Sequence, residues 1–250
     1  MRIALISDIH GNLVSLETVL ADINREGVDQ IICLGDVATL GPQPCEVVAR
    51  LKALDLTGIT GNHESYLLSS DLIYEDMDAP PWLGEMIDWC ASQLSSADFD
   101  YLCSFHPLIE IPLDTEASLL CFHGSPKSNT DMILATSPVA ELDKMLAGHT
   151  ATVMAGGHTH VQMVRQHNGV MIVNAGSVGE PLEQMPIEDT TRILPWAEYT
   201  IVSWVNGTLG IESRRVPIDV DAVRQAVLTS DMPDAIKNVW SRIGKQTAYR

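Results

Sequence analysis

The chain is poor in basic residues, in aromatic rings and in paired cysteines, and it has no long apolar run. Fifteen Lys and Arg stand against 33 Asp and Glu, for a net charge of −18. A general nucleic-acid binder needs a basic face to neutralise phosphates, so that class is not expected. The five cysteines, Cys33, Cys45, Cys90, Cys103 and Cys121, are an odd, scattered set without a Cys-x-x-Cys pair. Neither a disulfide framework nor a thiolate zinc site follows from them, and a reducing cytoplasm is the expected compartment. Cys33 and Cys121 lie in apolar runs and read as small buried hydrophobes. No apolar stretch reaches the ~18 residues of a membrane span. The opening Met-Arg-Ile-Ala-Leu-Ile-Ser-Asp meets an aspartate too early for a signal peptide. Aromatics are few, yet nearly half of the 250 residues are apolar. That is enough to bury a full core, and one domain over 1–250 is expected.

What is present is a repeated punctuation. Arg2–Ile6 is an apolar run that reads as a first strand, closed by Ser7-Asp8-Ile9-His10-Gly11-Asn12. Asp8 and His10 are two apart, so a strand continuing through Ile9 would point both to one face. Apolar positions at 13, 16, 19, 20 and 23 then form a helical stripe, with Asn12 as N-cap and Gly27 past its end. Gln30–Leu34 is a second strand closed by Gly35-Asp36. A helix follows from Pro44 to Ala53. Leu56–Thr60 is a third strand closed by Gly61-Asn62-His63-Glu64. Asp8 to Asp36 is 28 residues and Asp36 to Asn62 is 26, each about one βα unit of ~30 residues. The pattern predicts an α/β fold whose sheet starts parallel, with these three residues along one edge.

Residues 64–106 change texture. Trp82, Met86, Trp89, Cys90 and Leu94 recur at helical spacing, which predicts a mostly helical insert over the strand ends. Ordinary packing explains the tryptophan stripe. Further strands are expected at 108–111, 117–122, 151–155, 161–166 and 169–173, and a hairpin about Asn206-Gly207. Helices are expected at 138–147, 219–228 and 233–243.

Two later strands end in the same manner, at His123-Gly124 and Gly157-His158-Thr159-His160. The candidate ligands are thus Asp8, His10, Asp36, Asn62, His123, His158 and His160, all at strand ends or just past them in glycine-bearing clusters. Oxygen and imidazole donors without thiolate suit Mn, Fe, Zn, Co or Ni and disfavour calcium. Seven ligands are too many for one ion. They suit two divalent metal ions sharing a carboxylate, and Asp36 is the natural bridge. His149 sits in a partial copy, Gly148-His149-Thr150, but Ala151 replaces the second histidine, so it is set aside. His106 and His167 lie in loop sequence and are expected to be exposed. Asn12 reads first as a helix cap and second as a substrate contact. Ser125 and Ser177 lack a Gly-x-Ser-x-Gly elbow and are not expected to be nucleophiles.

The ordered blocks Asp8-x-His10, Gly35-Asp36, Gly61-Asn62-His63-Glu64, His123-Gly124 and Gly157-His158-Thr159-His160 resemble the calcineurin-like metallophosphoesterase superfamily. Gly35–Pro42 and the loop Asn174–Gly179 resemble its small prokaryotic branch, often labelled diadenosine-tetraphosphatase-like. The resemblance implies a four-layer αββα sandwich of two mixed sheets flanked by helices. It implies one ion on Asp8, His10, Asp36 and His160 and the other on Asp36, Asn62, His123 and His158. It implies that His63 faces the substrate phosphate as the catalytic residue. The expected activity is hydrolysis of a phosphodiester or phosphomonoester by in-line attack of a metal-bridging hydroxide. The expected partner is a small phosphate ester, nucleotides included, and a homo-oligomer is compatible with the sequence. The alternative is a metallophosphoesterase-fold scaffold for protein assembly.

The chain also departs from the superfamily's protein phosphatases. Thr39 and Leu40 stand where those carry Asp-Arg, and Thr60 stands where they carry a second Arg. The carboxylate that orients the histidine is therefore missing, and no replacement is evident in the sequence. Leu182 follows Glu180-Pro181 where many small prokaryotic relatives have an Arg.

Overall fold

The computed structural model describes residues 1–75, 82–183 and 192–244. The chain begins with β1 (Arg2–Ile6), α1 (Leu13–Glu26), β2 (Gln30–Cys33) and α2 (Pro44–Ala53). α1 starts where the Asn12 side chain accepts from the Ser15 N–H, and it stops at Gly27 in the left-handed region. α2 has Pro44 in its first turn, where a missing N–H costs nothing. Then come the helices α3 (Asn62–Leu68), α4 (Asp71–Glu75), α5 (Leu83–Gln93) and α6 (Ser96–Cys103), the helical insert expected from texture. The second half holds β3 (Ile109–Pro112), β4 (Ser118–Cys121), α7 (Val139–Leu146), β5 (Val153–Gly156), β6 (Met163–His167) and β7 (Val170–Asn174). A long hairpin of β8 (Trp196–Val205) and β9 (Thr208–Pro217) turns at Asn206-Gly207, and α8 (Val220–Thr229) and α9 (Asp234–Trp240) follow.

Two mixed sheets result. The first has the order β2-β1-β8-β9, with β1 and β2 parallel and the other pairs antiparallel. The second has the order β3-β4-β5-β7-β6, with β4, β5 and β7 parallel. Alternation along each strand separates two faces. Ile3 and Leu5 face a cluster with Leu119, Cys121, Val153 and Ala155 between the sheets. Ala4 and Ile6 face Leu16, Val19 and Val48 of the helices outside the first sheet. Leu120 and Met154 face Leu142 and Leu146 of α7 outside the second. This is the four-layer αββα sandwich. Ile3, Leu5 and Leu119 are fully buried, each worth about 1.5–3 kcal/mol by apolar burial.

Four expectations need correction. Residues 56–60 form no ladder strand; they make single bridges, Gly58 to Cys33 and Ile59 to His106. Strand geometry does not persist through Ile9, because β1 ends at Ile6. α3 begins at Asn62, earlier than expected, because the Glu64 carboxylate accepts from the Gly61 N–H and closes the first turn. His167 is buried: the turn at Asn168-Gly169 folds it back so that its Nε2 meets Asp143 Oδ1 of α7 at 2.9 Å. His106 is exposed as expected. Trp82 and Trp89 pack, half-buried, beside Met86 and Trp240. The Pro80-Pro81 pair lies outside the described residues.

Candidate metal centre

The loop after β1 brings Asp8 and His10 together by an unusual backbone. Asp8 and His10 have φ of 52° and 47°, in the left-handed region that L-residues seldom occupy. Asp36, His158 and His160 share it, at 57°, 67° and 58°. Five of the seven candidate ligands therefore sit on strained backbone, which the surrounding fold must hold. It does so by cross-linking the loops. Asp8 N–H donates to Gly35 O at 3.0 Å, and His10 N–H donates to Asp36 O at 3.0 Å. Ser177 Oγ donates to Asp8 O at 2.7 Å.

The loop after β2 is clasped by Glu64. Its carboxylate accepts from the N–H groups of Asp36, Val37 and Gly61 at 2.8, 2.8 and 2.9 Å. Burial and the nearby Asp36 carboxylate raise the Glu64 pKa to about 7. The clasp sets Asn62 and His63 beside Asp36, whose Oδ1 accepts from the His63 N–H at 3.0 Å. Gly61 must be glycine, since a Cβ there would collide with the Asp36 carboxylate.

The second sheet supplies the rest. His123 follows β4, and His158 and His160 follow β5. The His158 N–H donates to Asp8 Oδ2 at 3.0 Å, tying the two sheets together at the site. His123 Nε2 lies 3.1 Å from Asp36 Oδ2 and 3.0 Å from Asn62 Oδ1. His160 Nε2 lies 3.3 Å from Asp8 Oδ1 and 3.0 Å from His10 Nε2. Asp8, His10 and His160 each offer a donor atom within 4.8 Å of the others, and so do Asp36, His123 and His158. The fold thus brings all seven sequence-predicted residues to one place.

His123 Nδ1 donates to Leu34 O at 2.7 Å, and His160 Nδ1 donates to Glu180 O at 2.9 Å. A carbonyl only accepts, so each Nδ1 carries a proton and each Nε2 is turned inward, where it can donate to a carboxylate when protonated or offer its lone pair to a metal ion. Those Nε2 atoms face carboxylate and amide oxygens. Such a convergence needs a cation, and backbone carbonyls behind imidazoles are the usual supports of metal-ligating histidines. The carboxylates draw positive charge into the site, as protons on the histidines when no ion is bound. Burial opposes charging His123, yet the Asp36 and Asp8 carboxylates push its pKa up to about 10. For His160, burial is likewise overcome by Asp8, and the value rises to about 9. Burial opposes the charged form of Asp8 too, but His160 holds it down at about 2. His158, whose burial pushes its pKa down to about 4, carries a buried Nδ1 with no partner among the described residues. The donor set fits divalent ions.

His63 lies on the rim of this cluster. Its Nε2 is 4.0 Å from Asp36 Oδ2, and its Nδ1 is 2.7 Å from Thr39 Oγ1. Thr39, noted in the sequence only as a departure, is the partner that sequence reasoning missed. The signal available was its place, three residues after Asp36 in the loop that Glu64 clasps. Asn12 accepts from Ser15 N–H and donates to Gly179 O at 3.2 Å. The helix cap and the Gly179 carbonyl thus engage both ends of its amide, as the capping reading expects. His149 belongs to none of the donor groups.

Comparison with known proteins agrees with this geometry. Residues 1–194 match the calcineurin-like phosphoesterase superfamily domain. An uncharacterised protein of Methanocaldococcus jannaschii is 29% identical over 248 residues, covering 93% of this chain and 94% of that protein. A metallophosphoesterase structure from Sphaerobacter thermophilus aligns with a TM-score of 0.72 at 24% identity, covering 97% of this chain and 99% of that one. A hypothetical protein from Pyrococcus horikoshii aligns with a TM-score of 0.79 at 18% identity, covering 98% and 99%. A family of ester-bond hydrolases that use divalent metals would require the convergence of carboxylate and imidazole donors seen here, and the chain belongs to that family, the calcineurin-like phosphoesterase superfamily.

Proposed function

We propose that the chain is a dinuclear-metal-dependent phosphoesterase acting on small phosphodiesters or phosphomonoesters. The observation that carries this reading is the pair of donor groups, Asp8-His10-His160 and Asp36-His123-His158, packed in one buried site. One ion would be held by Asp8, His10, Asp36 and His160, and a second by Asp36, Asn62, His123 and His158. When bound, two divalent ions supply positive charge for the phosphoryl oxygens and acidify water at neutral pH.

The chain's own residues supply the remainder. His63 Nε2 faces the site from its rim, placed to stabilise charge on a phosphoryl or leaving oxygen. The Glu64 clasp and the left-handed loops hold the donors in place before substrate arrives. A net charge of −18 repels polyanions, so the reading is limited to small esters, nucleotides among them. No helix among the described residues is long and apolar enough to cross a membrane, and the cytoplasm is the proposed compartment.

The test is metal content after loading with Mn²⁺, followed by hydrolysis of bis-p-nitrophenyl phosphate and p-nitrophenyl phosphate. Two ions per chain and turnover of either ester support the proposal, and the ratio of rates separates diesterase from monoesterase. Full metal loading with no turnover on either overturns it in favour of a scaffold.

A further inference from the structure

We propose that Thr39 is the positioning residue of His63: its hydroxyl donates to Nδ1 and so fixes the tautomer that carries its proton on Nε2, the nitrogen facing the site. The kinetic half of this inference rests on the phosphoesterase reading; the tautomer does not.

The contact is short, 2.7 Å, and joins two buried side chains. Its direction follows from donor and acceptor inventory. Thr39 Oγ1 has no other hydrogen-bond partner among the described residues. Were it to accept from Nδ1–H, its own proton would be buried without an acceptor. By donating, it leaves only lone pairs unused, which is the cheaper omission. A neutral imidazole that accepts at Nδ1 carries its proton at Nε2. A carboxylate at position 39 would impose the reverse, because it accepts from Nδ1–H and favours the imidazolium. His63 is therefore set up as a neutral hydrogen-bond donor at Nε2.

The hydroxyl is itself held from several sides. Asp36 and Leu40 bracket its loop in the left-handed region, with φ of 57° and 71°. Val37 N–H donates to Glu64 Oε1 at 2.8 Å on one side of Thr39. On the other, Trp240 of α9 donates its Nε1–H to Leu40 O at 2.8 Å. The ring is fixed as well: His10 and Tyr66 meet it edge-on, with centroids 5.0 and 5.5 Å away. A C-terminal helix 200 residues away in sequence thus braces the loop that orients His63.

The first arm is ¹⁵N NMR of the uniformly labelled protein, with the His63 resonances assigned by their loss in His63→Gln. A pyrrole-like Nε2 and a pyridine-like Nδ1 support the proposal, and the opposite pattern overturns it. The second arm is steady-state kinetics of Thr39→Val and Thr39→Ser on bis-p-nitrophenyl phosphate with Mn²⁺. Valine keeps the shape and removes the hydroxyl, and should lower kcat about 10-fold with KM within about twofold. Serine restores the hydroxyl and should return most of kcat. A Thr39→Val enzyme with the kcat of the parent, or a serine variant no better than valine, overturns the positioning role. If the parent chain hydrolyses no ester at all, the proposed function fails, and the NMR arm still decides the tautomer.

Discussion

Two buried aspartates, Asp22 and Asp36, sit on opposite accounts. Asp22 on α1 is surrounded by true donors: the Tyr199 hydroxyl at 2.7 Å, Arg25 Nη2 at 2.7 Å and Arg214 Nε at 3.0 Å. Burial alone would raise its pKa, but these donors outweigh burial and hold it below the ordinary value. Asp36 has one backbone donor on Oδ1, while its Oδ2 faces His123 Nε2, which can donate to it only when the imidazole is charged, because the Nδ1 proton is committed to Leu34 O. The first cluster closes within the protein and is structural. The second closes only with added positive charge. The number of charged groups does not distinguish the two sites; the direction of their protons does.

Substitutions can break or sharpen that contrast. Asp36→Asn removes the carboxylate proposed to be shared, and should lower turnover about 10⁴-fold or more. Mass spectrometric metal analysis should show both ions depleted, and loss of only one would break the shared-ligand assignment. His63→Ala should lower turnover by about 10²–10⁴ while both ions remain; full activity would remove His63 from the chemistry. Asp22→Ala should do the converse. It leaves the Tyr199 hydroxyl without its acceptor and Arg214 without one of its partners, costing about 2–3 kcal/mol by urea unfolding, with metal content and turnover unchanged. An Asp22 variant that lost metal would erase the distinction between the clusters.

The same residue gives a pH signature. The folded pKa of Asp22 lies below its reference value of 3.8. Its contribution is therefore fully present above pH 3.8 and is lost as pH falls from there through the lower folded value. The stability gap between parent and Asp22→Asn should be flat near neutrality and close in that acid window. Tyr199→Phe is the mildest test. It removes one of three donors to Asp22 and should cost about 1 kcal/mol, again without effect on turnover.

The sequence carried much of this. Asn12, Gly27 and Pro44 marked helix ends by local chemistry, and the alternation in Arg2–Ile6 marked a strand with two buried faces. The ligand residues were legible because an apolar run that ends in a glycine-bearing cluster with carboxylate, amide or imidazole side chains repeats five times. What misled was geometry beyond nearest neighbours. Asp8 and His10 converge through left-handed backbone, stabilised by bonds to Gly35 and Asp36 O and by Ser177, and not by strand alternation. Residues 56–60 had strand composition but gained only single bridges, because in the fold they lie beside Cys33 and His106 without a continuous partner. His167 looked like a turn residue and became buried because Asp143 arrives from α7.

By itself, then, the sequence determined which side chains could bind metal and at which element ends they would stand, since both follow from residue type and local periodicity. Only the tertiary structure decided their proton inventory. Leu34 and Glu180 carbonyls turn His123 and His160 toward the site, Glu64 clasps the Asp36 loop, and Thr39 meets His63 across 24 residues. Those partners are distant in sequence, and a hydrogen bond has a direction that composition and spacing do not encode.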